Sequence, residues 1–117
     1  MTNTFEGAKA AYKALDDKLA VDIKVLEIKN ISSLADYFVI ASGNNSNQLR
    51  AMADEVDEQL YKAGFRLKHS EGMSSNNWVL MDFGDIVVHL FNKDDRGFYN
   101  IERIWGDAKE ITEDELK

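Results

Sequence analysis

A chain of 117 residues, 44% hydrophobic and 30% charged, has the size and composition of one globular domain rather than a disordered segment. Its 14 basic and 21 acidic residues leave a formal charge of −7, which excludes a grip on bare nucleic acid by surplus cations but not a basic protein partner within a nucleic-acid machine. Cysteine is absent, so disulfides, thiolate catalysis and cysteine-ligated zinc are excluded.

Phe5, Ala8, Tyr12, Leu15 and Leu19 fall at alternating steps of three and four, the buried stripe of a first helix. Asn3, with Glu6 three residues on, caps its start, and Lys9, Lys13, Asp16 and Asp17 form its solvated face. A strand is expected over about 22–28, where Ile23 and Val25 alternate before Leu26 and Ile28 change phase. A bulge and two-sided burial both account for that change. The run 34–41 is apolar apart from Asp36, as in an interior strand covered on both faces. A polar turn, 42–47, feeds a second helix with Leu49, Met52, Ala53, Val56 and Leu60 on its buried stripe and Gly64 as its stop. Residues 65–69 alternate as a half-exposed strand, and a polar loop around Gly72 leads to Trp78.

From Trp78 to Trp105 the chain is densest in aromatic residues. Two β-rich runs, 78–81 and 86–91, flank Asp82-Phe83-Gly84-Asp85, where Gly84 supplies the positive φ of a hairpin turn. Phe98, Ile101 and Trp105, with Ile104 alongside, then return at helical spacing. An acidic tail, 110–117, is expected as a short helix or a frayed end beyond a domain spanning 1–109. The sum is a single α/β domain with a mixed five-stranded sheet packed by helices. No apolar run nears twenty residues, and MTNTFEGAKA is neither a secretory signal nor an arginine-rich transit peptide, so the cytoplasm is the expected location and no membrane is involved.

Catalytic patterns are sparse. No two glycines stand two apart and no Gly-Lys-Ser/Thr occurs, so the dinucleotide fingerprint and the P-loop are both absent. Ser42-Gly43 reads as a helix-entry turn rather than an anion cradle, since no basic residue follows before Arg50. Asp82-Phe83-Gly84 matches the kinase magnesium tripeptide by letter only. Asp82 and Asp85 would be the metal-holding pair of a nucleotidyltransferase-like enzyme, but aspartates flanking a turn more commonly cap it. His89, within an apolar strand, reads as a hydrogen-bonded structural or interface residue. No cofactor or metal is expected. What stands out is surface: Trp78, Tyr99 and Trp105, with Arg96 near, are the residue types of binding hot spots. Trp105, on a helical stripe, also suits a core, and Trp78 suits either role.

The residues 34–43 (LADYFVIASG), Gln48, Ala53-Asp54, Glu71-Gly72, Trp78, 82–89 (DFGDIVVH), Arg96, Phe98-Tyr99, Glu102 and Trp105 together resemble the ribosomal silencing factor family, also called Iojap-related, over about 5–108. Ile101 and Ile104 depart from it, standing where leucines are usual. The resemblance implies a nucleotidyltransferase-related fold without a retained catalytic site, and hence no enzyme. It implies binding to ribosomal protein number fourteen on the large ribosomal subunit, on the face that meets the small subunit, so that the subunits cannot join and translation falls when nutrients are scarce. By resemblance the docking surface includes Trp78, Arg96, Tyr99 and Glu102. Leu80 joins them because residues two apart on a strand share a face. Free members of the family tend to pair, so a homodimer hiding this face is expected, and no direct sequence-specific contact with nucleic acid. The alternatives are a large-subunit assembly factor and the metal-dependent enzyme on Asp82 and Asp85.

Overall fold

In the computed structural model, residues 3–30, 33, 35–72, 78–93 and 108–116 are described. Helix α1 (Thr4–Asp17) starts as its sequence predicts: the Asn3 side chain accepts the Phe5 N–H, and the Asn3 carbonyl accepts that of Glu6. Ala8, Ala11, Tyr12 and Leu15 are buried, but Leu19 is 79% exposed and not on the stripe. The helix stops at Asp17, and Leu19 follows with a φ of +60°. The Ala20 N–H bonds to the Leu15 carbonyl and the Leu19 N–H to that of Asp16, the crossed pair of a Schellman end. The left-handed residue turns its side chain off the helical stripe, which periodicity alone does not reveal.

Strand β1 (Val21–Glu27) runs antiparallel to β2 (Tyr37–Gly43), and their register shifts between Val21 and Lys24, where Asp22 has a φ of +50°. The change of phase at Leu26 is two-sided burial, with Val25 in one core and Leu26 in the other; the bulge lies upstream, and the register from Lys24 to Glu27 is unbroken. All seven residues of β2 are buried. The strand begins later than expected and absorbs Ser42 and Gly43, which lie within the ladder and not in a turn. Asp36, the one polar residue of the apolar run, accepts the Thr4 hydroxyl at 2.8 Å and so ties the start of β2 to α1.

Strand β2 pairs in parallel with β5 (Ile86–Asn92), and α2 (Ser46–Lys62) belongs to the crossover that such pairing requires. Asn45 caps α2 by accepting the Gln48 N–H, and the five residues of the expected stripe are all buried. The Gln48 amide in turn donates to the carbonyls of Lys18 and Leu19, joining the start of α2 to the end of α1. Helix α2 closes with the same crossed pair as α1, Phe65 to Leu60 and Gly64 to Tyr61.

Strand β3 is His69–Glu71, not 65–69. Its partner β4 (Trp78–Asp82) ends opposite His69, so apart from the Lys68 N–H, which bonds to the Asp82 carbonyl at 2.8 Å, the alternating residues before it have no strand opposite them. Strands β4 and β5 form the expected hairpin: Gly84 has a φ of +91°, the Phe83 N–H bonds to the Ile86 carbonyl, and Asp82 Oδ1 accepts the Gly84 N–H at 2.7 Å.

Among the described residues the sheet has six strands, not five, in the order β3-β4-β5-β2-β1-β6. The sixth, β6 (Lys109–Ile111), pairs antiparallel with β1 and is followed by a single turn of helix, α3 (Glu113–Leu116). A boundary at 109/110 therefore falls inside a strand, and Ile111 and Leu116 are both buried. Three residues are too few to show a period, which is why the strand does not declare itself in the sequence. The expected helix over 98–105 lies outside the described residues. Among the described residues no helix is long and apolar enough to cross a membrane.

Helices α1 and α2 cover one face of the sheet over a core that includes Leu15, Val39, Met52, Leu60, Met81 and Leu90. The other face has its own smaller core of Leu26, Ile28, Ala35, Phe38, Ile40 and Phe91, with Trp78, Val87 and Ala108 packed at its margin.

Candidate functional site: an aromatic face of the sheet

Strand β4 alternates cleanly. Val79 and Met81 are buried under the helices, while Trp78, Leu80 and Asp82 are half-buried on the other face. Trp78 and Leu80 thus share a face, as their spacing requires. The hairpin register sets Trp78 opposite Phe91 and Leu80 opposite His89.

That register builds a stack. The Trp78 ring lies 5.6 Å from Phe91 at an interplanar angle of 16° and 6.0 Å from His89 at 24°. The His89 and Phe91 rings are nearly parallel at 6.4 Å, and Phe38 meets His89 at 5.0 Å, tilted by 60°. Offset and tilted arrangements of this kind are favourable beyond the area they bury. The indole Nε1–H of Trp78 donates to His89 Nδ1 at 3.4 Å.

His89 is 5% exposed, and burial lowers its pKa to about 4, so the ring is neutral at neutral pH. Since Nδ1 accepts, the neutral ring carries its proton on Nε2, and Nε2 has no hydrogen-bond partner among the described residues. His89 is therefore the hydrogen-bonded residue its strand position suggests, and the bond goes to Trp78. Sequence reasoning did not join the two. Counting outward from an 82–85 turn pairs residue 78 with 89 and 80 with 87, out of register with the observed ladder, which closes at Asp82 and Val87 and so sets Trp78 opposite Phe91 and Leu80 opposite His89.

The entry to β4 is also constrained. Gly72 has a φ of +77°, and a Cβ there would collide with the Trp78 carbonyl oxygen. Only glycine lets the chain at position 72 pass so close to the strand that carries the tryptophan.

Arg96, Tyr99 and Glu102, and Trp105 with them, lie outside the described residues. Of the expected docking residues the structure therefore brings together Trp78 and Leu80. Asp82 is occupied with its own turn, and the carbonyl of Asp85 accepts the N–H groups of Asp36 and Tyr37. No three His, Asp or Glu residues among those described are grouped as a metal site. Grooves on the described surface include one of about 430 Å³ between α1 and α2, beside Lys9, Lys13 and Lys62, one of about 470 Å³ along α2, beside Asp57 and Tyr61, and one of about 350 Å³ beside Tyr12, Ile111 and Leu116.

Among the described residues, a mixed sheet with α1 and α2 on one face and an aromatic, half-buried patch on the other defines an α/β domain whose candidate site is a contact surface. The model of the family "ribosomal silencing factor during starvation" matches residues 2–117, and the chain belongs to that family. A Bacillus subtilis protein named ribosomal silencing factor RsfS is 48% identical over 100 residues, which are 86% of this chain and 85% of that protein. A crystal structure of a Chromobacterium violaceum protein superposes with a TM-score of 0.82 at 39% identity, covering 86% of this chain and 84% of that one. A second, from Bacillus halodurans, gives a TM-score of 0.79 at 38% identity over 92% of this chain and 97% of its own. Family membership supports a ribosome-associated role in silencing translation, as a regulatory factor rather than an enzyme.

Proposed function

We propose that this protein represses translation by binding the large ribosomal subunit through ribosomal protein number fourteen, with the sheet face bearing Trp78 and Leu80 as the docking surface. Arg96, Tyr99 and Glu102 complete that surface in this reading. The bound protein stands where the small subunit would join, so initiation slows under nutrient limitation. It acts in the cytoplasm, without cofactor. The observation that carries the reading is the Trp78 ring, held in a stack on the face opposite both helices yet half-buried rather than enclosed. A charge of −7 suits a basic ribosomal protein, where it serves encounter more than final affinity.

Sedimentation of purified subunits with and without the protein tests the proposal. Co-sedimentation with large subunits and a smaller joined-ribosome peak are expected. Trp78→Ala should weaken large-subunit binding by about thirtyfold, the scale of a hot-spot truncation. Binding without any effect on joining would replace the silencing role with an assembly role. Heat of binding with nucleotide and magnesium, abolished by Asp82→Asn, would instead support the enzyme reading.

In the free protein the same face closes on a second copy as a homodimer, which the ribosome displaces. Trp78→Ala should then be monomeric in sedimentation equilibrium as well as defective in docking. Loss of the dimer with ribosome binding intact would separate the two surfaces.

A further inference from the structure

We propose that His89 is a positioning residue for docking: its imidazole holds the Trp78 indole in the one orientation in which the tryptophan meets its partner. The inference rests on the docking role given to Trp78 above. Its ground is the geometry around the imidazole. The His89 ring lies near-parallel to both Trp78 and Phe91, with Phe38 tilted against it, so the slot is shaped for a flat ring. A phenylalanine would suit such a slot by shape and would bring no polar atom into it. The imidazole brings two. One accepts the Trp78 Nε1–H, and the other, Nε2, is buried without a partner among the described residues. A buried polar group left unpaired destabilises a fold. Stability alone therefore does not account for this side chain, and what it supplies that phenylalanine cannot is the acceptor for the indole.

That acceptor has a definite effect. Stacking on Phe91 fixes the plane of the indole but not which edge points outward, because a flat ring can turn over in its own plane. The N–H···N bond selects one of the two placements. Fixing it in the free protein removes part of the ordering that binding would otherwise require. It also decides what the partner meets. The indole has a single donor, and that donor is turned inward to His89. Trp78 therefore presents carbon atoms to its partner, which should receive it in an apolar recess and not with a hydrogen-bond acceptor.

The test uses the full chain in three variants, read by large-subunit affinity, by melting at pH 7 and by the indole N–H resonance of Trp78. Trp78→Ala identifies that resonance by its loss. His89→Phe should shift it, melt no lower than the parent, and bind large subunits about tenfold more weakly, the scale of one hydrogen bond. His89→Asn, whose Oδ1 lies as many bonds from the backbone as Nδ1, should recover most of the affinity. Should His89→Phe melt well below the parent, His89→Asn decides: recovered affinity supports positioning, and affinity as weak as that of the Phe variant overturns it. Binding by His89→Phe within about twofold of the parent, with Trp78→Ala defective, would overturn the positioning role alone. Parental binding by Trp78→Ala would overturn the docking role, and this inference with it.

Discussion

Leu19 occupies the left-handed position of a helix end, where a side chain is strained by about 1–2 kcal/mol and glycine is usual. At 79% exposure it returns little by burial. Leu19→Gly should therefore raise the unfolding free energy by about 1 kcal/mol in urea, with the slope unchanged. His89 acts on stability through pH. Its folded pKa of about 4 lies below the ordinary 6.5, so between these values the unfolded chain binds a proton that the folded chain does not. The stability linked to this group is complete above pH 6.5 and is lost as pH falls toward 4. The drop from pH 7 to pH 5 amounts to about 2 kcal/mol. In His89→Phe that part of the drop should vanish, which urea titrations at the two pH values would show.

Among the elements, the C-terminal β6–α3 unit shows most clearly what a sequence conceals. Leu116 is 2% exposed and joins the core under the helices, although it stands next to the end of an acidic stretch that reads as a tail. Leu116→Ala should cost about 2–3 kcal/mol, a core truncation, whereas a frayed tail would give nothing measurable in the same urea titration. The difference in legibility follows from how each element is specified. Helices α1 and α2 repeat their apolar residues over several turns and carry their own caps, so Asn3, the five-residue stripe of α2 and Gly64 could all be read locally. The β4–β5 hairpin is likewise local, fixed by Gly84 and the Asp82 side chain that accepts its N–H. Strand β6 exists because the outer edge of β1 offers hydrogen-bonding groups to it, and Lys109–Ile111 carry no trace of that edge. The site divides in the same way. Alternation along one strand put Trp78 and Leu80 on a common face, but the stack of Trp78 with His89 and Phe91 depends on the pairing of two strands.

At the scale of the whole molecule, a charge of −7 and an aromatic patch act on different stages of one binding event. Distributed acidic charge attracts a basic ribosomal surface across water, and salt screens that attraction within about 10 Å at 0.1 M. The stacked ring meets its partner only at contact, where water is already excluded and salt has little reach. The two contributions therefore separate in kinetics. Raising salt from about 50 to about 200 mM should slow association with large subunits several-fold and leave dissociation nearly unchanged. At protein concentrations low enough for the parent to be monomeric as well, Trp78→Ala should do the reverse, speeding dissociation while association keeps both its rate and its salt dependence. Rapid-mixing measurements on the parent and this one variant, at two salt concentrations, distinguish steering from anchoring. If salt instead accelerated dissociation as strongly as it slowed association, the acidic groups would have to lie inside the contact, and the patch would be an ionic interface with an aromatic rim.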